Sequence, residues 1–254
     1  MVQRWPDRLW VVRHGESSGN VARDAAHSAK LARIDTDGRD VDVPLSPLGE
    51  DQSRALGLWF AQMPPEQRPD VVLTSPYRRA WQTAALIHSG GGLLVDSADF
   101  QQDERLREKE FGILDRLTSL GIRQEFPEQA EFRSILGKFY HRPPGGESWC
   151  DVILRLRSAL DTVSLHHSQT RLLIVAHQVV VLCLRYLLEN MTEQQILDID
   201  REGDIANCGV TEYAFDPGHG RHGALVLKRF NFVAPLYEQG AAVTTEPDMP
   251  VGSR

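Results

Sequence analysis

Cysteine is scarce in this chain, a net positive charge is missing and no long apolar run occurs. Each shortage removes a class of function. Only three cysteines, Cys150, Cys183 and Cys208, stand among 254 residues. They are odd in number and lack close metal-ligand spacing, so free thiols in a reducing compartment are expected rather than a disulfide framework or a metal centre. A net charge of −7 gives no basic field for nucleic acid, so any anionic substrate needs a local arginine cluster. No apolar stretch approaches the roughly 18 residues of a membrane span, and strand-like sequence begins by about Arg8, leaving no room for a secretory leader. The expectation is a cytoplasmic protein with no membrane or nucleic-acid partner; a homodimer stays open.

What is present is ordinary globular material, 41% hydrophobic and 25% charged, enough for one α/β domain with insertions. One stretch stands out, Leu9-Trp10-Val11-Val12-Arg13-His14-Gly15-Glu16. Leu9 to Val12 is apolar without polar alternation, the pattern of a strand buried on both faces. It stops at an arginine and a histidine, and Gly15 allows a tight turn there. His14 therefore belongs at the carboxyl end of a central strand, where open α/β sheets place their ligands.

The strand, turn, helix pattern then recurs. Residues 21–43 predict a short helix over 21–33 and an inserted loop carrying the Asp37-Gly38 turn. Ser46-Pro47 is a cap and first-turn proline for a helix ending before Pro64-Pro65. Asp70–Thr74 reads as a second buried strand, and Ser75-Pro76 opens a helix from Tyr77 to about His88. Arg78, in its first turn, is read as an anion-binding residue and Arg79 as a solvated one. An edge strand is predicted at Leu93-Leu94-Val95, then the charge run 103–112, helices over 117–126 and 128–139, and the irregular loop Arg142–Ser148. Ser148 and Asp151 form a capping pair for the next helix. Arg171–His177 is a third buried strand ending in a functional-looking side chain, followed by helices over 179–188 and 193–199. Strands over 209–215 and 224–230 flank Pro217-Gly218 as a hairpin, and the chain from Val233 reads as a poorly ordered tail. The expected architecture is a three-layer α/β/α domain over 1–232 with a mostly parallel sheet, an insertion at 21–43 and a flexible tail over 233–254.

Five fragments in this order resemble the histidine phosphatase (phosphoglycerate mutase-like) superfamily. They are Arg13-His14-Gly15-Glu16 with Asn20, Ser75–Ala80, Leu106-Arg107-Glu108 ahead of Gly112, Pro144–Ser148, and Val175-Ala176-His177. The resemblance implies a covalent phosphohistidine mechanism with His14 as nucleophile, its other ring nitrogen held by a backbone carbonyl. It assigns Arg13, Asn20, Arg78 and His177 to the phosphate pocket, where guanidinium forks suit phosphoryl oxygens. Glu108 becomes the acid that protonates the leaving oxygen, a role that calls for a carboxyl pKa above the ordinary range. The chemistry requires neither metal nor cofactor. Histidines 27, 88, 141, 166, 167, 219 and 222 are expected at the surface.

About 30 residues separate Gly112 from Pro144, short for the segment that closes over phosphoglycerate in mutases, which favours a phosphatase acting on a small phosphorylated metabolite. Phe126-Pro127-Glu128, Arg133, Lys138, Glu147 and Gln178 resemble the fructose-2,6-bisphosphatase branch, and with Ser17 they are candidate substrate contacts. Leu182 stands where that branch carries an arginine. Three rivals remain: a mutase using the same residues, a serine hydrolase from Gly15-Glu16-Ser17-Ser18-Gly19, and a phosphoprotein-binding module without turnover.

Overall fold

The computed structural model describes residues 3–245. Its centre is β1 (Arg8–Arg13), which pairs in parallel with β4 (Arg171–Ala176) on one side and antiparallel with β5 (Val210–Asp216) on the other. Beyond β4 lie β2 (Val71–Thr74) and the two-residue edge strand β3 (Gln101–Gln102), both parallel; beyond β5 lies antiparallel β6 (Ala224–Phe232). The sheet order is β3-β2-β4-β1-β5-β6.

Strand alternation divides the core into two layers. Leu9, Val11, Leu172 and Ile174 pack under α6 (Trp149–His166) and α7 (Gln178–Leu188). Trp10, Val12, Leu173 and Val175 pack under α2 (Pro47–Ala61) and α3 (Arg78–Ser89). Helices therefore cover both faces, and β1, β2 and β4 run parallel with their carboxyl ends at one edge. That edge receives every chain reversal that carries the site.

Elsewhere the structure departs from the sequence reading. Helix α1 runs over Ser18–Ser28, earlier than predicted, because Ser17 caps it in a reciprocal pair with Asn20. The Leu93–Val95 run forms no strand: Leu93 is buried beside Phe60 and Ile87, while Gln101 and Gln102 take the ladder positions opposite Leu73 and Thr74. Helices α4 (Ser119–Glu125) and α5 (Pro127–Tyr140) follow, the latter interrupted at Gly137, and α8 is Glu193–Glu202. The segment expected as a tail holds α9 (Ala234–Glu238), whose Leu236 is fully buried in the layer with Phe60. Gln52 Nε2 then donates to the Ala242 carbonyl and Thr244 Oγ1, and Asn207 N donates to the Thr244 carbonyl. Leu236, with Ala241 and Val243 packed on the same layer and the Gln52 and Asn207 bonds, docks a stretch whose composition is small and polar. Residues 246–254 of that expectation lie outside the described residues.

Candidate active site

His14 follows β1, His177 follows β4, and the turn 75–77 follows β2, so three adjacent parallel strands deliver the centre of the site. Gly15 is required by close packing: a Cβ there would lie 2.4 Å from the Gly49 carbonyl oxygen. The backbone around His14 is pinned by His14 N to the Ala176 carbonyl (3.0 Å), Gly15 N to Thr83 Oγ1 (3.0 Å) and Asn207 Nδ2 to the His14 carbonyl (3.1 Å).

The His14 ring is oriented as tightly. Its Nδ1 lies 2.7 Å from the Gly15 carbonyl oxygen, which can only accept, so the proton resides on Nδ1 and the lone pair on Nε2. Arg79 Nε donates to that lone pair at 3.1 Å. Burial, reinforced by the charges of Arg79 and Arg13, holds the His14 pKa well below the usual histidine range. His177 is fully buried, with ring centroids 5.1 Å apart from His14 in an edge-to-face arrangement. Its Nε2 pairs with Ser75 Oγ at 2.7 Å; its Nδ1 lies 3.9 Å from Glu108 Oε2 and has no hydrogen-bond partner among the described residues. Burial and the Arg79 charge lower its pKa too.

The arginine reading needs correction. Arg78 is exposed, whereas Arg79 is buried against His14. The buried face of α3 is Arg79, Ala80, Thr83, Ala84 and Ile87, the four-residue recurrence of a helix, and Arg78 falls one step of rotation away. That spacing was readable in the sequence and outweighs the cap position.

Arg13, His14, Ser17, Asn20, Arg79, Glu108 and Gln178 line one cavity. Arg13 is buried and donates to the Ile205 carbonyl. Asn20 Oδ1 is taken by the Ser17 amide and hydroxyl, both at 2.8 Å, so its remaining capacity is as a donor. Gln178 Nε2 donates to Asp204 at 2.6 Å. Among the run's acids Glu108 alone reaches the cavity; Glu110 accepts from the Tyr77 hydroxyl and is exposed, as is Glu104.

Three proposed substrate contacts lie elsewhere. Lys138 bridges to Asp200 at 2.7 Å, joining α5 to α8, and neither it nor Arg133 lines the cavity. Glu147 is an internal clamp: it accepts from Arg107, Arg155 and the Glu110 amide, while Arg155 also donates to the Glu108 carbonyl. Burial alone would raise its pKa, but Arg155 draws it below the usual carboxylate range. Glu147 thus fixes the acid-bearing loop. Of the histidines expected at the surface, His141 and His167 are buried.

The sequence reading missed Arg23, Asp40, Asp115 and Arg116, which also line the cavity. Arg23 follows Asn20 at helical spacing, a signal that was available. Arg116 adopts φ +59°, a conformation an arginine holds at some cost, and no local pattern announces it. Asp40 forms a bidentate pair with Arg79.

The sequence profile of the histidine phosphatase superfamily (branch 1) matches residues 9–227. The chain belongs to this superfamily. Among curated relatives of this chain, a 6-phosphofructo-2-kinase/fructose-2,6-bisphosphatase of Aquarana catesbeiana is 29% identical over 191 residues, 74% of this chain and 34% of the relative. A second such protein, from Caenorhabditis elegans, is 29% identical over 83% of this chain and 42% of the relative. The chain therefore spans well under half the length of these two relatives. A probable phosphoglycerate mutase (GpmB) of Yersinia enterocolitica is 30% identical over 80% of this chain and 83% of the relative. Solved structures agree in fold. Bacillus stearothermophilus YhfR aligns with a TM-score of 0.66 at 25% identity, covering 87% of this chain and 96% of that one. A mycobacterial glucosyl-3-phosphoglycerate phosphatase complexed with VO3 aligns at 0.66 and 24% identity, covering 89% and 98%. Among the described residues no helix is long and apolar enough to cross a membrane.

Proposed function

We propose that this histidine phosphatase hydrolyses the phosphomonoester of a small metabolite through a phosphohistidine on His14, without a metal. The observation that carries the reading is the His14 ring itself: Nδ1 is tied to the Gly15 carbonyl, Nε2 keeps its lone pair, and Arg79 and His177 adjoin it. A neutral imidazole with a fixed tautomer is a competent nucleophile at neutral pH.

In the first step His14 Nε2 attacks phosphorus in line and the P–O ester bond breaks. Glu108, as the carboxylic acid, gives its proton to the departing oxygen. In the second step Glu108, now a carboxylate, takes a proton from water; the water oxygen attacks phosphorus, the N–P bond breaks, and inorganic phosphate leaves. Arg13, Arg79, Asn20 and His177 stabilise the charge on the equatorial oxygens. The orphaned His177 Nδ1, buried beside Glu108, is a hydrogen-bonding position suited to a phosphoryl oxygen. The phosphatase names among the relatives support this reading, and the superfamily profile spans the residues assigned a role. The test is phosphate release from sugar bisphosphates, phosphoglycerates and phosphoamino acids in chelator. Release that depends on His14 supports the reading; phosphoryl exchange between phosphoglycerates without release replaces it with a mutase.

A further inference from the structure

Arg79 meets two partners at once. Its Nε donates to His14 Nε2 at 3.1 Å, Nη1 donates to the Asp40 carbonyl (2.7 Å) and Oδ1 (2.9 Å), and Nη2 donates to Oδ2 at 3.1 Å. A carboxylate lying across the two terminal nitrogens takes the fork-to-fork geometry that two phosphoryl oxygens would take. The Nε contact lies along the lone pair through which His14 must reach phosphorus. Asp40 therefore holds Arg79 over the nucleophile and fills the face of the guanidinium that an anionic substrate needs.

Resting on the phosphatase reading above, we propose that Asp40 is a specificity-determining residue, an internal anion that the substrate's phosphoryl group must displace from Arg79. The ion pair is suited to exchange. Arg79 is buried with a side-chain exposure of 6%, but Asp40 is at 46%, so the released carboxylate passes into water at little cost. A phosphoryl dianion brings more charge to the buried guanidinium than a carboxylate does and wins the exchange; a monoanion does not. Asp40 belongs to a single 3₁₀ turn, Asp40–Asp42, in the stretch that walls the cavity with Ile34, Thr36 and Val43. Movement of that turn breaks few backbone bonds. Asp115, which also lines the cavity, is a second acidic group there: burial and Asp40 both raise its pKa, while Arg116 and Arg23 oppose the rise.

The test compares wild type with Asp40→Asn, Asp40→Glu and, as a control, Asp42→Asn, whose carboxylate pairs with the exposed Arg39. Inorganic phosphate binding is measured by calorimetry, and KM and kcat are measured on a hydrolysed phosphomonoester. Asp40→Asn is expected to tighten phosphate binding and lower KM about 3- to 10-fold, because an amide cannot offer Arg79 two anionic oxygens. Asp40→Glu, which keeps a carboxylate for Arg79, should bind phosphate less tightly than Asp40→Asn, and Asp42→Asn should match wild type. Loss of kcat in Asp40→Asn with KM and phosphate affinity unmoved would overturn the proposal and make Asp40 a support for Arg79. Phosphate affinity equal in wild type and Asp40→Asn, or phosphate binding to neither, overturns it as well. Tighter phosphate binding in Asp40→Asn without hydrolysis of any ester would uphold the proposal and defeat the phosphatase reading.

Discussion

At the residue scale the site depends on which of two neighbouring arginines faces inward. Arg79 contacts the nucleophile and Arg78 faces solvent, so their substitutions should separate cleanly. Arg78→Ala is expected to keep kcat/KM within about 2-fold, whereas Arg79→Ala should lower it by about 100-fold or more, the usual loss for a preorganised donor to transition-state charge. Steady-state kinetics on any accepted ester decides this, and equal losses would contradict the assignment. The residue types of the site were legible because strand ends are local features: Val12-Arg13-His14 and Val175-Ala176-His177 declare themselves without tertiary information. The Arg78 reading failed because it weighed the first-turn position above the helical spacing that puts Arg79 on the buried face with Ala80, Thr83, Ala84 and Ile87. Asp40 and Arg116 were beyond sequence reasoning; long-range packing and a left-handed backbone bring them to the cavity.

At the scale of elements, the loop carrying Glu108 has no regular structure to hold it and depends on the Glu147 clamp. Arg155 donates to both oxygens of Glu147 and to the Glu108 carbonyl. Arg155→Met should cost about 2 kcal/mol of stability in urea denaturation by leaving Glu147 short of a buried partner. It should also lower kcat more than it weakens phosphate binding, since the acid is misplaced while the phosphate pocket stays intact. A fall in phosphate affinity with kcat preserved would show that Glu147 and Arg155 serve the pocket instead. The helix α9 makes a second element-scale case. Composition from Val233 onward reads as tail, yet Leu236 fills a position among Phe60, Trp59 and Cys208. Leu236→Ala should destabilise the fold by about 2 kcal/mol or more. A change below about 0.5 kcal/mol, typical of surface positions, would mean that α9 contributes nothing to the core. The main strands and helices were readable from periodicity and caps; the edge strand was not, because Gln101 and Gln102 are placed by their partner β2 rather than by their own pattern.

For the whole molecule, the two histidines of the site, His14 and His177, link stability to pH. Both have pKa values lowered by burial and by arginine charge, so the folded chain stays unprotonated where the unfolded chain, near 6.5, binds protons. Their contribution is complete above about pH 6.5 and is lost progressively as pH falls below it, by up to about 1.4 kcal/mol per pH unit for each ring. His177→Asn should therefore show a shallower decline in urea-derived stability between pH 6.5 and 5 than wild type. A steeper or unchanged decline would contradict the burial of a neutral ring. The same neutral state serves catalysis, since a protonated His14 has no lone pair.

The central claim is that His14 carries the phosphoryl group, and rapid quench into alkali tests it most directly. Alkali preserves a phosphohistidine while destroying acyl phosphates. Mixing the protein with an accepted phosphomonoester in chelator, quenching within the first turnover and locating the added phosphate by peptide mass should place it on His14. His14→Ala should show neither label nor phosphate release. Phosphate release by wild type with no label on His14, or release that persists in His14→Ala, would contradict the account.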